Sequence, residues 1–153
     1  MFKRTGILTL WTVLLIAGIV SCDDNPVDND SNHDHAEAEA MLVLHDTDTL
    51  LFQHEDDGIL AEQSLTLTAG RTSEEIEVKF QAHDGGFFQP EEEHFSIETT
   101  IDDPGIALVI TGTPRWSFTV EAIAPGSTTL SVKLMHGTHA DFTGQDIPVQ
   151  VTE

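Results

Sequence analysis

Positive charge is scarce in this chain of 153 residues. Six Lys and Arg residues stand against 27 Asp and Glu, so the formal net charge is −21 with His neutral. Proteins that bind nucleic acid neutralise phosphates with clusters of Lys and Arg, and anionic lipid head groups attract the same residues. The composition therefore excludes a nucleic-acid partner and disfavours adsorption to an anionic membrane surface. So acidic a surface favours solubility and attracts cations.

The chain has a single cysteine, Cys22, and it follows an apolar N-terminal segment. Met1–Arg4 carries two positive charges, and the run Ile7–Val20 is apolar. This pattern is typical of a secretory signal, and about fourteen apolar residues fall short of the roughly 20 that a spanning helix needs. Ile19-Val20-Ser21-Cys22 resembles a bacterial lipobox. The resemblance implies a signal peptide over residues 1–21 and a covalent lipid on Cys22; an ordinary cleaved signal or an uncleaved anchor is the alternative.

Lipidation would leave no thiol for catalysis, disulfides or metal binding. Any metal site must then use histidines and carboxylates, and the domain must be stable in an oxidising compartment through its core alone. Removal of residues 1–21 takes away Lys3 and Arg4 and no acid, so the net charge moves from −21 to −23. The eight histidines then outnumber the four remaining Lys and Arg. Below about pH 6 their protonation would offset part of the negative charge.

Residues 22–40 are predicted to be a lipid-anchored, disordered, acidic tether. Residues 23–40 contain seven acids and no aromatic residue, so burial cannot offset the entropy of ordering them. Asp23-Asp24 resembles the acidic signals that send some Bacteroidota-type lipoproteins to the cell surface. The pair His33 and His35 could bind a metal ion, but a disordered pair loses entropy on binding, so we favour a solvated linker. We expect a lipid-anchored protein of the bacterial envelope, at the outer membrane and facing the periplasm or the surface.

Short alternating apolar patterns from residue 41 onward predict an all-β domain. In Ser127–Met135, for example, Leu130, Val132 and Leu134 share one face. Eight or nine such strands, spaced about ten residues apart, favour an immunoglobulin-like β-sandwich over 41–153. Pro148 predicts that the last strand lies at a sheet edge. The other predicted strands are Met41–His45, Thr49–His54, Ser64–Thr68, Glu75–Ala82, His94–Thr99, Ile106–Thr111, Trp116–Ile123 and Asp146–Thr152.

The stretch Phe118–Val132, FTVEAIAPGSTTLSV, resembles the C-terminal half of bacterial immunoglobulin-like domains of the group-2 kind. Leu65–Gly70 and Ile76–Phe80 resemble the N-terminal half. The resemblance implies a spacer or adhesive module of a cell-surface protein. The chain departs from the family by carrying His94-Phe95-Ser96 where a tryptophan-serine segment is usual, and by adding the hairpin at 41–60 and the loop HGTHAD.

The loop HGTHAD supplies candidate metal ligands directly after the strand Ser127–Met135. His136 continues the inward parity of that strand, and Gly137 permits a tight turn that brings His139 and Asp141 back toward it. Two imidazoles and a carboxylate are a partial ligand set for Zn²⁺ or another borderline divalent ion, and Met135 would admit copper. The remaining candidates for a fourth ligand are His83, Asp84, His94 and Glu91–Glu93.

The same residues have plainer interpretations. HGTHAD can be a polar loop with His136 capping the core by a hydrogen bond, and Glu91–Glu93 is a solvated charge run rather than a calcium site. His45 and His54 are predicted to be surface or satisfied core residues. Two functions stay open: an envelope protein that holds Zn or Cu and serves an envelope protein partner, or a structural or adhesive module with no small ligand.

Catalysis is not expected. The chain contains no G-x-S-x-G, no H-E-x-x-H and no glycine-rich phosphate loop. A glycosidase needs two placed carboxylates in a deep cleft, which a small sandwich rarely supplies. The chain also has no tyrosine, which argues against the aromatic platforms common in carbohydrate modules.

Overall fold

A computed structural model describes residues 36–112 and 114–153, which belong to one compact unit, Asp34–Glu153. The signal peptide and Cys22 lie outside the described residues, as does the tether up to residue 35. The described residues form twelve strands: β1 Ala40–His45, β2 Asp48–His54, β3 Gly58–Glu62, β4 Leu65–Thr68, β5 Ile76–Gln81, β6 Phe87–Phe88, β7 Phe95–Ile101, β8 Ala107–Thr111, β9 Ser117–Ala122, β10 Gly126–His136, β11 His139–Thr143 and β12 Ile147–Thr152.

The strands form two sheets. The first has the order β3-β2-β1-β5-β9-β8, with β6 paired to β5, and the second has the order β11-β10-β12-β4, with β7 paired to β10. All the pairings are antiparallel except that of β12 with β4, which is parallel. Where a strand alternates, its apolar residues are buried, because the inner face of each sheet packs on one shared core.

Strand β10 organises the second sheet. Its residues Leu130–His136 pair with β7. Gly126–Leu130 pairs with β12 and Lys133–His136 pairs with β11, so these two strands share the opposite edge of β10. Every backbone donor and acceptor along a strand needs a partner, and three neighbours supply them here. The long alternating run of β10 thus fixes the position of its last residue, His136.

Gly144, just after β11, lies close to the Met41 side chain of the first sheet and to the backbone of β10. A Cβ at this position would lie 3.0 Å from the Sδ atom of Met41, in β1, and 3.0 Å from the carbonyl oxygen of Val132, in β10. Real Cβ contacts are rarely so short, so a side chain here would force the Met41 side chain or the Val132 carbonyl to shift by a few tenths of an ångström. The absence of a side chain allows the end of β11 to lie directly against the core.

The structure confirms the predicted all-β sandwich, and all of the strands predicted from alternation are present. Three strands were not predicted: β3, β6 and β11. The prediction that Pro148 places the last strand at an edge is wrong, because β12 lies between β10 and β4. Pro148 pairs with Thr129 of β10, but pairing with β4 begins only at Val149, so the missing N–H falls at the end of the strand, where proline is tolerated.

Residues 36–40, which the sequence assigns to the tether, pack against the domain. Ala38 is buried, the N–H of Glu39 donates to the carbonyl of Gln81 at 2.8 Å, and Ala40 begins β1. The described domain therefore begins with a segment anchored to the sandwich.

In the part of the chain that the structure describes, no helix is long and apolar enough to cross a membrane.

Substitution of Leu130 by alanine tests the role of β10 in the core. Leu130 has 0% exposure, so Leu130→Ala should lower the free energy of unfolding by about 2–5 kcal/mol, through lost burial and the cavity left behind. The matched control is Leu60→Ala, because Leu60 on β3 is 52% exposed and its loss should change stability by less than about 0.5 kcal/mol. Urea unfolding followed by circular dichroism measures both. Equal effects of the two substitutions would contradict the assignment of β10 to the core.

Candidate metal centre

A two-residue turn, Gly137-Thr138, joins β10 to β11 and sets His136 directly opposite His139. Gly137 has a φ of 59°, in the left-handed region that side chains disfavour. Hairpins with a glycine at the first central position and positive φ there match the twist of the flanking strands. The Gly137 N–H also donates to the carbonyl of His94 at 2.9 Å, which ties the turn to the start of β7. The sequence prediction of a tight turn at Gly137 is confirmed.

A β-bulge gives Asp141 its position. Leu134 pairs with Phe142 and Met135 pairs with Ala140, so the register shifts by one residue at Asp141. In a regular strand, His139 and Phe142 would point to opposite faces. The bulge adds one residue between them, so that His139 stands beside His136 while Phe142 still reaches the core. The Asp141 side chain is only 3% exposed.

The three side chains converge. One potential ligand atom from each of His136, His139 and Asp141 lies within 4.8 Å of the other two. The carboxylate stands between the rings, with Oδ2 at 3.8 Å from His136 Nδ1 and Oδ1 at 3.8 Å from His139 Nε2. Ligands on one tetrahedral zinc ion are about 3.3 Å apart, so small side-chain rotations would suffice to enclose an ion. No other group of three or more such ligands occurs among the described residues.

The surroundings hold His136 in place and leave His139 accessible. The ring of Phe95, the cross-strand neighbour of His136 on β7, stacks on it at 4.6 Å with an interplanar angle of 26°. The ring of His139 lies 5.3 Å from that of His136, tilted by 58°. The His136 side chain is 11% exposed and that of His139 is 49% exposed. A cation would therefore approach from the His139 side.

The segment that precedes β1 completes one wall of the centre. The N–H of Ala36 donates to Asp141 Oδ2 at 3.1 Å. Carboxylates that bind metal ions commonly accept such a hydrogen bond from the outer shell, which orients them. A groove of about 570 Å³ runs alongside, lined by Asp141 and by Glu37, Glu39 and Glu55. Four carboxylates in one groove raise the local concentration of cations.

His83 and His94, the proposed additional ligands, take different positions. His83 is 91% exposed, its Nδ1 lies 2.5 Å from Glu39 Oε1, and both residues line the same groove as Asp141. The ring of His94 lies 4.8 Å from that of His136, tilted by 40°, and 4.7 Å from that of Phe95. Neither belongs to the set of three converging ligand atoms.

The remaining candidate ligands lie elsewhere. Glu91–Glu93 is exposed, and Arg115 donates to the backbone carbonyls of Glu91 and Glu92, which orders that turn without using the carboxylates. Met135 is next to His136 in β10, and alternation turns its side chain to the opposite face, away from the three ligands. Asp84 accepts from the N–H of Gly86 at 2.9 Å.

His54 and His45 do not belong to the three converging residues, and each has different contacts. His54 accepts from the N–H of Asp56 at 3.3 Å, and its Nε2 lies 3.7 Å from Glu39 Oε2. The Nε2 atom of His45 is buried with no hydrogen-bond partner among the described residues. The sequence missed the part played by Glu39, which stands between His54 and His83, because nothing in an acidic linker marks one glutamate as ordered.

Comparison with known proteins yields only distant structural similarity. No family model matches the chain, and no curated protein matches it. Domains 4 and 5 of the S-layer protein SbsC are similar with a TM-score of 0.45 at 21% identity, covering 60% of this chain and 49% of that one. Domains 5–6 of the same protein give 0.42 at 23% identity, and domains 4–9 give 0.46 at 22%. The chain spans 39% and 13% of those two structures. Similarity at this level carries no argument about function.

The pKa of His83 tests whether its side chain pairs with that of Glu39 in the groove. The hydrogen bond to Glu39 and the charge of that carboxylate raise the pKa of His83 above its usual 6.5. Because the pKa is raised in the folded state, the pair stabilises the fold below pH 6.5, and this contribution is lost as the pH rises through the folded pKa. An NMR titration should give a His83 pKa above 6.5, and Glu39→Gln should move it back toward that value. Identical titration curves in the two proteins would contradict the pairing.

Proposed function

We propose that this chain is a lipid-anchored protein of the bacterial envelope that binds a divalent transition-metal ion through His136, His139 and Asp141. The observation that carries the proposal is the convergence of these three side chains within 4.8 Å at one end of the sandwich. Neutral imidazole and carboxylate suit zinc and its neighbours, and three protein ligands with an open position form a recurring zinc arrangement. The role we favour is holding and delivering the ion to an envelope partner, rather than catalysis.

The details of the centre support zinc over copper. Its donors are nitrogen and oxygen, and the thioether of Met135 lies on the other face of β10. The Ala36 N–H donates to Asp141 Oδ2 and orients the carboxylate, whose Oδ1 lies 3.8 Å from His139 Nε2. Stacking of His136 on Phe95 restricts the ring before any ion binds, which lowers the entropy lost on binding.

A structural or adhesive module is the second candidate. Its support is that Asp141 and His136 already make contacts within the domain, the first with the Ala36 N–H and the second with the ring of Phe95. Such contacts would also stabilise a hairpin that never meets an ion. The two candidates differ in one measurable property, the affinity of the histidine pair for a metal.

Calorimetric titration of the chain from residue 23 to residue 153 with Zn²⁺, after chelator treatment, tests the metal proposal. Loss of both imidazoles in His136→Ala/His139→Ala should weaken binding by at least about 100-fold, since loss of a single outer-shell partner already weakens metal sites by about 10- to 100-fold. The matched control is His45→Ala/His54→Ala, which removes two imidazoles from the first hairpin and should bind as the unmodified chain does. Thermal unfolding checks that both variants fold.

Two results would contradict the metal proposal. One is zinc binding that is equally weak in the unmodified chain and in both double variants, which would leave the structural candidate. The other is a loss of affinity in the control pair as large as in His136→Ala/His139→Ala. That result would place the zinc ligands elsewhere.

The proposal of a lipid anchor rests on Cys22 and the lipobox-like segment before it. A lipid on this residue, after cleavage, would hold the mature chain at the membrane through an acidic tether. In a bacterial host, the chain should partition into the detergent phase of a Triton X-114 extract and carry the mass of an acylated N-terminal cysteine. Cys22→Ser should abolish both, because serine has no thiol to form the thioether. Detergent partitioning that is unchanged by Cys22→Ser would contradict the anchor.

A further inference from the structure

We propose that the segment Ala36–Glu39, here called the strap, positions Asp141 for metal binding, so that attachment of the strap and affinity for the ion depend on each other. This inference rests on the proposed function and names a means of controlling the same centre. The strap leads directly into β1 at Ala40, and its first residue is joined to Asp141 by a hydrogen bond. Displacement of the strap by a partner would then weaken the hold of the centre on its ion.

The strap joins the first sheet to the candidate centre on the second. At its start, the Ala36 N–H donates to Asp141 Oδ2, in β11, at 3.1 Å. At its end, Glu39 pairs with the backbone that follows β2 and ends β5, and its carbonyl accepts from the N–H of Glu55 at 2.7 Å. Between these ends, Ala38 is buried in the shared core. The body of the strap is therefore fixed to the first sheet, while its first residue contacts the second.

The Glu39 side chain adds further contacts along the groove. Its Oε1 lies 2.5 Å from His83 Nδ1, and its Oε2 lies 3.7 Å from His54 Nε2. Glu39 is three residues from Ala36 in the chain, so these contacts hold the strap in the position from which Ala36 reaches Asp141. Glu39 is in this sense a positioning residue for the metal centre.

The coupling between strap and ion follows from the orientation of the carboxylate. With the strap attached, Asp141 is already held by a donor, so less conformational freedom is lost when an ion binds. Loss of such an outer-shell partner weakens metal sites by about 10- to 100-fold. Coupling of two binding equilibria is reciprocal. If detachment of the strap lowers the affinity for zinc by some factor, bound zinc must strengthen the attachment of the strap by the same factor.

Zinc calorimetry on the chain from residue 23 to residue 153 tests the contact at Ala36 and leaves every candidate ligand in place. Ala36→Pro removes the donating N–H and should weaken zinc binding at least about tenfold, the lower end of the range for a lost outer-shell partner. Ala36→Gly keeps the N–H and is the matched control, so it should bind as the unmodified chain does. Thermal unfolding checks that both variants fold.

Substitution of Glu39 tests the other end of the strap. Glu39→Ala removes the contacts with His83 and His54 and should weaken zinc binding because the strap is held less firmly. It also removes one negative charge from the groove. The matched control is Glu55→Ala, because Glu55 lines the same groove and the hydrogen bond of its backbone N–H is kept. Glu39→Ala should weaken zinc binding by a larger factor than Glu55→Ala does.

Hydrogen exchange gives a readout that a strap with a merely structural role would not change. The amides of Ala36, Glu39 and Glu55 donate the hydrogen bonds that open when the strap detaches. Saturating zinc should slow their exchange in the unmodified chain by about the factor that Ala36→Pro costs in affinity. The amide of Ala69, which donates to Thr152 beside the end of β10 far from His136, is the control and should exchange equally fast with and without zinc.

Tight zinc binding that Ala36→Pro leaves unchanged would overturn the inference, as would strap amides that exchange at the same rate with and without zinc. Both results would leave the metal proposal intact. Equal losses of affinity in Glu39→Ala and Glu55→Ala would assign the effect to the charge of the groove and overturn the positioning role of Glu39. The absence of tight binding in the unmodified chain would instead defeat the metal proposal itself.

Discussion

The backbone pairing of β10 is the constraint on which the rest of this structure depends. One strand of eleven residues supplies partners to β7 along one edge and to β12 and β11 along the other. Its apolar residues close the core, and its hydrogen bonds fix the register of three neighbours. Because a slip of one residue would turn every side chain to the other face, the buried Leu130, Val132 and Leu134 also fix the direction of His136. The candidate site is thus an extension of the core pattern.

The site combines two requirements that a regular hairpin could not satisfy together. His139 must face His136 across the turn, and Phe142 must reach the core beside Leu134. These residues are three apart in the chain, so alternation would separate them. The bulge at Asp141 removes the conflict and leaves a carboxylate 3% exposed between two imidazoles. An acid so placed needs a compensating contact, which the Ala36 N–H supplies and a bound cation would strengthen.

Much of this could be predicted from the sequence, and the limits have physical causes. Alternation along β5, β9 and β10 predicts both the strands and their buried faces, because one face of each strand packs on the core. Strand β11 was missed because its pattern, His-Ala-Asp-Phe-Thr, is interrupted by the bulge. The prediction that Pro148 places the last strand at a sheet edge was wrong, because proline excludes a pairing only where its own N–H would be needed. The contact between Ala36 and Asp141 joins residues 105 apart and leaves no periodic signal.

The strand pattern thus accounts for the local position of the three candidate ligands, whereas the hydrogen bond that orients Asp141 comes from Ala36, far away in the chain. The most direct measurement of the central claim is zinc K-edge absorption spectroscopy together with anomalous diffraction from crystals of the zinc-loaded chain. The account predicts one anomalous peak, with nitrogen ligands from His136 and His139 at about 2.0–2.1 Å and an oxygen of Asp141 at about 2.0–2.2 Å. A zinc peak bound elsewhere, with these three side chains unchanged, would contradict it.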